Sequence, residues 1–505
     1  MASERPVLVG VGQLRRRPGL DGGWKPSEPL ELMSLAAQAA VADTGVPELI
    51  QGVDLIGTVD PIAWTYDGLP GLLAARLGAK PARSEEVPPG GNSPCLLLNN
   101  IANRIAEGEV RIAILAGAEA LYSRYRAHRE QMSLPWGGRK STMADTTKGQ
   151  PPFTSEIERR HGIFLPVQTY PLFENALRAE AGRTVDEHQR VVARMMARFS
   201  EVAARNPHAW FPEALTADEI QIVDETNRWI CFPYPKRMNA IIAVDMAAAL
   251  VVTSESEADR LGIPAERRVS YLGGAYATDA WSPAERSDFV SSPAYRSASR
   301  AALEHAQLDV DAVDLFDLYS CFPSAVEMAL KELSLDPEEP RPLTVTGGLS
   351  YAGGPGNNYC THALANMVEA LRRGEGTVGY VSALGMNMTK HAISILSSDA
   401  AHAESATGRS EKIELPESER RGPPLVDAPE GSGRIETYTV EFERDNRPRR
   451  SLIVVALDDG SRTIAHGEET PEAFASLVER EGVGARGNVV PGSGGDSPNR
   501  FVLTG

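Results

Sequence analysis

Short apolar runs alternate with stretches of helical periodicity along the first part of the chain. A brief run of mostly β-branched residues favours a strand, whereas apolar positions that recur every three or four residues favour a helix. By these criteria, strands are predicted over residues 7–11, 53–59 and 112–116, and helices over residues 29–43 and from Gly71 onward. Strands that alternate with helices in this way predict an α/β fold.

The same series of elements returns in the second half of the chain. The elements predicted there are strands over residues 269–272, 313–318 and 377–381, and helices over residues 294–306, after Pro323 and over residues 362–372. Residues 53–56 align with residues 313–316, and residues 99–115 align with residues 365–381, at nearly equal offsets of 260 and 266. Such self-similarity predicts one architecture that occurs twice.

Changes of composition divide the rest of the chain. A segment rich in aromatic residues, proline and charge separates the two halves and predicts an inserted loop domain that returns to the core. After the second half, Ala-, Ser-, Glu- and Pro-rich sequence is typical of a linker, and alternating runs then predict a small β-barrel-like domain that is dispensable for the core. The predicted domains are residues 1–121, 122–262, 263–397, 398–433 and 434–505.

Charge and cysteine content narrow the classes of function. The net charge is −17, a field that repels nucleic acids and anionic membranes, although a local basic pocket can still hold a nucleotide-bearing cofactor. No apolar stretch reaches the ~18 residues of a membrane span. The sequence shows no targeting signal, no disulfide framework and no CxxC pair, so we expect a cytoplasmic protein with free thiols. The four cysteines are Cys95, Cys231, Cys321 and Cys360.

One cysteine stands at the start of a predicted helix. Cys95 ends the motif Gly90-Gly91-Asn92-Ser93-Pro94-Cys95, and proline is favoured in a first helical turn because its missing N–H would be unpaired there. A thiol in that turn faces the positive end of the helix, which favours the thiolate. Cys95 is therefore a candidate nucleophile, and the alternative is a small buried apolar residue.

Glycines and histidines supply the other candidates. The Gly-rich segment 346–358 can aim backbone N–H groups at an oxyanion, but it lacks the ending of a nucleoside-triphosphate loop. Gly10 and Gly12 are followed by Arg15 where a dinucleotide fingerprint needs its third glycine, so we reject a Rossmann fold. No histidines show metal-ligand spacing, so no metal is expected. His362 and His391 remain candidates for function, each with a structural role as the alternative.

Together these features resemble the thiolase superfamily over about residues 5–397. The chain is most similar to the sterol-carrier-protein type and to thiolase-like proteins of type 1, which carry an extra C-terminal β domain. The resemblance implies a duplicated fold layered α-β-α-β-α, with an inserted loop domain and a C-terminal OB-like barrel, and it matches Cys95 to the acylated cysteine. Residues 244–249 resemble the helix start that closes the loop domain. Tyr319-Ser320-Cys321-Phe322 falls where the sterol-carrier type has His-Asp-Cys-Phe.

Two departures from the thiolase pattern affect the expected activity. Gly353-Gly354-Pro355 aligns with the Gly-His-Pro triplet that supplies the activating histidine, and Ser382-Ala383-Leu384 aligns with the Cys-x-Gly that supplies the second cysteine. The resemblance therefore leaves Cys95 without its usual bases. His391, with His362 as the alternative, is expected to act as the base.

The resemblance implies a thiolase-like acyl-CoA acyltransferase of lipid metabolism, similar to acetyl-CoA acetyltransferase, that works through an acyl-cysteine with weak or altered activity. Coenzyme A or acyl-CoA would be the substrate, with no permanently bound cofactor, and the protein would be a monomer or a homodimer. The alternative is a non-catalytic thiolase-fold protein that binds acyl-CoA or lipid and docks a partner through its C-terminal domain.

Overall fold

The computed structural model describes residues 4–22, 24–493 and 497–504. The strands of the body are β1 (Pro6–Arg15), β2 (Leu55–Val59), β3 (Trp64–Thr65), β4 (Arg83–Glu86), β5 (Ile112–Ala120), β6 (Arg139–Lys140), β7 (Trp229–Cys231), β8 (Tyr234–Pro235), β9 (Asp245–Ser254), β10 (Val269–Thr278), β11 (Leu315–Asp317), β12 (Val378–Gly385), β13 (Lys390–Ser397) and β14 (Arg409–Lys412).

The α-helices of the body are α1 (Pro29–Asp43), α2 (Leu69–Leu77), α3 (Ser93–Ala106), α4 (Leu121–Arg129), α5 (Met143–Thr146), α6 (Glu156–Arg160), α7 (Pro166–Glu180), α8 (Val185–Arg205), α9 (Ala217–Gln221), α10 (Glu255–Arg260), α11 (Pro293–Ala306), α12 (Pro323–Glu332), α13 (Gly348–Tyr351), α14 (Tyr359–Arg372), α15 (Ala400–Ser405) and α16 (Glu417–Arg420). No helix of the described residues is both long enough and apolar enough to cross a membrane.

The body contains the same strand order twice. In the first half the order is β2-β5-β9-β1, with a parallel first pair and antiparallel pairs after it. In the second half β11-β12-β13-β10 repeats both the order and the directions. The half-sheets meet where Val7 and Leu8 of β1 pair with Ser270 and Val269 of β10. The predicted duplication is confirmed, while the domain boundaries stay a prediction.

Helices α3 and α14 lie between the two half-sheets, and each contacts strands of both halves. The apolar residues of β5 alternate between two clusters, so that Leu115 faces α3 and Ile114 faces α1 on the outer side. Helix α11 covers β10 and β13 in the second half. These layers give the expected α-β-α-β-α arrangement. Helix α1 lies so close to β1 that a Cβ atom on Gly10 would be 2.1 Å from the Ala40 carbonyl oxygen, which explains this glycine without a nucleotide.

Both half-sheets contain strands that the sequence analysis did not predict. Residues 244–249, which resemble a helix start, lead into and form the fully buried strand β9 instead. Its residues are apolar on both faces, a pattern that does not distinguish a buried strand from a buried helix. Within the predicted linker 398–433, β14 pairs in parallel with β10, so this segment forms part of the body. Strand β13 carries no alternation either, because all of its residues are buried.

The C-terminal residues form a closed barrel of five strands. Its elements are β15 (Gly431–Phe442), β16 (Pro448–Leu457), β17 (Arg462–His466), α17 (Pro471–Glu479), β18 (Arg486–Val490) and β19 (Arg500–Leu503). The order β15-β16-β17-β19-β18 closes back on β15, and only β17 and β19 pair in parallel. A helix between the third and fourth strands of a five-stranded Greek-key barrel is an OB-like arrangement. The expected barrel is confirmed.

The barrel is joined to the body by buried contacts. Asn175 of α7 donates its side-chain amide to the Tyr438 carbonyl oxygen at 2.7 Å, and Arg178 contacts Glu481 at 2.8 Å. Phe232 of the body lies in the apolar core of the barrel. These contacts cover a face of α7 that would otherwise be exposed, and they argue against the expectation that residues 434–505 are dispensable for the core.

Candidate functional site

Two cysteine thiols meet at the ends of the two central helices. Cys95 lies in the first turn of α3, after Pro94, and its exposed fraction is 0 %. Cys360, in the first turn of α14, lies beside the Cys95 thiol, and its Sγ donates to the Ser382 carbonyl oxygen at 3.8 Å. The first N–H groups of a helix have no intrahelical acceptor, so the positive end of α3 faces this contact.

The other three cysteines are held as protonated thiols. Burial raises the pKa of Cys321 to about 12. Burial also raises the pKa values of Cys231 and Cys360, and the contact with Cys95 raises that of Cys360 further. Since a thiolate is the reactive form, these three side chains are poor nucleophiles at neutral pH.

The loop before Cys95 is closed in by two residues of the second half. A Cβ atom on Gly91 would lie 2.2 Å from the Tyr319 hydroxyl oxygen and 2.3 Å from the Leu384 carbonyl oxygen, so both approach the backbone closely. The backbone N–H of Tyr319 donates to Ser382 Oγ at 3.1 Å. The structure thus brings together the predicted residues Cys95, Tyr319 and Ser382.

Two further predicted residues, Ser320 and Cys321, follow Tyr319 in the turn between β11 and α12. Ser320 Oγ accepts from the Leu349 N–H of α13 at 3.3 Å. The Cys321 thiol contacts the Tyr170 hydroxyl of α7 and is the only cysteine that is not fully buried. Both residues connect the turn to neighbouring helices.

The Gly-rich loop supplies backbone and no side-chain base. Gly353 has a φ of 103°, in the left-handed region that favours glycine. A Cβ atom on Gly354 would be 3.3 Å from Leu349 Cδ2, a tight contact with a side chain, and 3.5 Å from the Ile241 carbonyl oxygen, an ordinary contact with backbone. Crowding by backbone therefore does not account for the missing histidine at Gly354.

The structure does not bring His391 to Cys95. Side chains alternate across β13, and Ser394 faces α3 through a 2.8 Å hydrogen bond to Asn99. His391 lies on the opposite face, where its Nε2 is 3.2 Å from Ser292 Oγ at the start of α11 and 3.3 Å from Asp279 Oδ2. The expectation that His391 serves Cys95 as a base therefore has no support from the geometry.

His362 is also placed away from the two thiols. Its Nδ1 lies 2.9 Å from the side-chain oxygen of Gln13 in β1. Burial, with a smaller contribution from His208, lowers the pKa of His362 to about 3. This histidine stays neutral and fits a structural role.

Lys390 is a functional candidate that the sequence analysis missed. It is next to His391 in β13 but points to the α3 side, where its Nζ donates to the Pro89 carbonyl oxygen at 2.7 Å and to Gln150 Oε1 at 2.5 Å. Its exposed fraction is 1 %, and burial lowers its pKa to about 7. The sequence signal was weak, because Lys390 stands between Thr389 and His391, before the mostly apolar residues 392–396. Burial gives it significance, since a charged side chain is rarely fully buried without a partner.

Three potential metal ligands meet between α7, α8 and α12. The donor atoms of Glu174, His188 and Glu327 lie within 4.8 Å of one another. Glu174 accepts from His188 Nε2 at 2.5 Å and from the Tyr234 hydroxyl at 2.5 Å. Arg183 Nη1, which can only donate, faces His188 Nδ1 at 3.4 Å, so Nε2 carries the imidazole proton. A metal would need that nitrogen deprotonated, and the group is therefore better described as a hydrogen-bond cluster.

The variant Glu327→Gln is expected to raise the melting temperature by roughly 2–4 °C at pH 8 and to change it little at pH 5. Burial, and then the neighbouring Glu174, raise the pKa of Glu327 well above its usual value. The folded protein keeps a proton that the unfolded chain releases above roughly pH 4.3, so this carboxyl lowers stability increasingly as pH rises. Thermal melts at both pH values test this, with the exposed Glu338→Gln as the control. A loss of stability at pH 8 would contradict the expectation.

Comparison with known proteins shows which family this chain is similar to. Residues 417–492 match the family model described as "Thiolase-like protein type 1 additional C-terminal domain". No curated protein matches the chain. Among solved structures, a monomeric SCP2-thiolase like protein type 1 from Mycobacterium smegmatis is 31% identical, with 100% of both chains covered and a TM-score of 0.81.

Two further solved structures share the fold at lower identity. An acetyl-CoA acetyltransferase from Syntrophomonas wolfei is 17% identical, covers 79% of this chain and 100% of its own, and has a TM-score of 0.56. Human mitochondrial 3-ketoacyl-CoA thiolase is 16% identical, with the same coverage and a TM-score of 0.57. Both matches cover less of this chain than the M. smegmatis match does.

Proposed function

The chain belongs to the family of SCP2-thiolase-like proteins of type 1, and on that premise we propose that it is an acyl-CoA acyltransferase in which Cys95 accepts the acyl group. The observation that carries the proposal is the position of Cys95 in the first turn of α3. The backbone N–H of Cys95 can donate to the developing thioester oxyanion, because Pro94 has no N–H and the N–H groups of Ser93 and Leu96 already donate to Gly90 and Asn92. The other three thiols are disfavoured as nucleophiles by their raised pKa values.

The proposed step is thioester exchange. The Cys95 sulfur attacks the carbonyl carbon of the acyl-CoA, a new carbon–sulfur bond forms, and the bond to the coenzyme A sulfur breaks. The proton leaves the Cys95 thiol and ends on the departing coenzyme A thiolate. No oxidant or metal is needed, so the exchange requires only a thiol, an oxyanion hole and a group that holds the proton.

We propose Lys390 for the proton-holding role, in place of His391. A neutral amine has two N–H bonds and one lone pair, and the two carbonyl-type acceptors, Pro89 O and Gln150 Oε1, match two donated hydrogens. A pKa of about 7 leaves a large neutral fraction at physiological pH. The lysine also lies against the loop that leads into α3.

Carbon–carbon bond cleavage, the reaction of thiolysis, has a further requirement. It requires proton transfer to a carbanion by a group beside the substrate α-carbon, and neither Gly354 nor the Ser382 hydroxyl can supply that transfer at neutral pH. Loss of a positioned base costs on the order of 10²- to 10⁴-fold in rate. We therefore propose acyl transfer to Cys95 with weak or absent thiolysis.

The enclosure of Cys95 favours a second candidate function. With an exposed fraction of 0 %, the Cys95 thiol is reached only after the residues that enclose it move aside. A protein that never makes this movement would bind acyl-CoA or lipid without turnover. The two functions differ in whether an acyl-enzyme forms.

Incubation with an acyl-CoA is expected to add the acyl mass to the wild type and to Cys321→Ala, and to leave Cys95→Ala unmodified. Cys321 is the matched control because it is the most accessible thiol. The acylation rate is expected to rise with pH through an inflection near 7 that Lys390→Met removes. Intact-protein mass spectrometry measures both. If the wild type stays unacylated, the binding function replaces this proposal.

A further inference from the structure

A cleft with a volume of 300 Å³ lies between the end of β1 and the start of α1, apart from the two thiols. Arg16, Arg17 and Lys25 lie on its walls, together with Asp21, Trp24 and Glu31. Its volume is at the lower end of the range typical of small-molecule sites, about 300–1,000 Å³. The cleft can hold one polar end of a ligand while the remainder stays outside.

The charges on these walls are unbalanced. Asp21 is already occupied, because it accepts from Arg15 through both carboxylate oxygens at 3.0 Å and from the Arg17 N–H at 2.7 Å. Within residues 4–22, 24–493 and 497–504, no carboxylate lies within ion-pair distance of Arg16, Arg17 or Lys25. Glu31 is the one remaining acid of the cleft walls.

Positive charge without an ion pair is notable in a chain of net charge −17. Burial lowers the pKa of Arg17 and Arg15 adds to this effect, while the nearby carboxylate of Glu213 offsets it only in part, so the guanidinium is held at some cost. Its side chain is fixed there, since it donates to the Trp210 carbonyl oxygen and lies 4.8 Å from the centre of the Phe211 ring. An anion in the cleft would offset this cost.

Trp24 adds an aromatic surface to the same cleft. The Arg126 guanidinium lies 4.0 Å from the centre of its ring, and its Nε1–H donates to Asp245 Oδ2 at 3.5 Å. These contacts hold the indole in place beside the cations. Aromatic side chains next to arginine and lysine suit ligands that combine phosphate groups with a planar base.

The cleft is also connected to the Gly-rich loop of the site. Trp210, which accepts from Arg17, donates its backbone N–H to the Ala352 carbonyl oxygen at 2.8 Å. A Cβ atom on Gly353, the next residue, would be 3.1 Å from Trp210 Cβ. One residue thus contacts both the cleft and the loop.

We infer that this cleft binds a nucleoside diphosphate group, with its phosphates between Arg16, Arg17 and Lys25 and its base against Trp24. Free nucleotides and coenzyme A both contain this group, so either can supply it. The inference does not depend on acylation of Cys95. It goes beyond the proposed function because it assigns a separate ligand site.

Calorimetric titration of the full chain with ADP and with coenzyme A tests the inference. We expect at least one of them to bind, and the double variant Arg16→Glu/Lys25→Glu to weaken that binding at least tenfold. Both side chains are exposed, so the fold should tolerate the change. Lys80→Glu, at an exposed position outside the cleft, is expected to bind as the wild type does.

Further titrations distinguish the contribution of the phosphate groups to binding from that of the rest of the ligand. Pyrophosphate is expected to compete with the bound nucleotide, and binding to the wild type should weaken as salt rises. Pantetheine, which lacks the diphosphate, is expected to bind at least tenfold more weakly than coenzyme A. Absence of binding by both ADP and coenzyme A, or unchanged affinity in the double variant, would overturn the inference. Acylation by a small thioester without phosphates tests Cys95 independently.

Discussion

A chain that ends at Gly433 is expected to aggregate instead of melting cooperatively. The barrel covers α7, whose Arg178 side chain has an exposed fraction of 1 % and contacts Tyr438 and Glu481. Removal of residues 434–505 would leave this arginine and the Asn175 amide without their barrel partners, beside newly exposed apolar surface. Composition alone suggested a separable domain, because it shows that a barrel can form without showing what it covers.

Size-exclusion chromatography and calorimetry of the truncated and full chains measure this outcome. Supplying residues 434–505 as a separate polypeptide should restore some soluble body, because the missing contacts are then available again. A fragment 1–433 that stays monomeric and melts at the temperature of the full chain would show that the barrel is indeed dispensable.

The variant Arg462→Ala is expected to lower stability by about 3–5 kcal/mol. This arginine has a side-chain exposure of 1 %, and it donates from the barrel to the carbonyl oxygens of Ala284 at 2.9 Å and Arg286 at 2.6 Å. It also pairs with Glu436 through Nε at 2.7 Å. Its removal leaves buried carbonyl groups and a partly buried carboxylate without a partner.

Thermal and denaturant unfolding measure this loss. The matched control is Arg447→Ala, because Arg447 is paired with Asp445 at 2.7 Å but has a side-chain exposure of 79%. Exposed pairs contribute about 0–1 kcal/mol, so the control should change little. Equal, small effects of both substitutions would mean that Arg462 does not hold the barrel against the body.

Local signals in the amino-acid sequence were enough to predict several features of this protein. The helix predicted over residues 29–43 is α1 (Pro29–Asp43), and a proline in the first turn placed Cys95 at the start of α3. The repeated order of strands and helices was also visible, because each element carries its own periodicity or turn residues. These signals need only a few neighbouring residues, and they sufficed for the fold class and for the position of one thiol.

Which side chains meet depends on contacts between residues that are far apart in the chain. Cys360 reaches Cys95 because α3 and α14 are neighbours between the sheets, although 265 positions separate the two residues in the chain. Strand β13 is buried on both faces, so its composition could not show that Lys390 faces α3 while His391 faces α11. That choice depends on its pairing with β12 and β10, which are distant partners. A shift of one residue would exchange the two side chains, because alternate positions of a strand point to opposite faces.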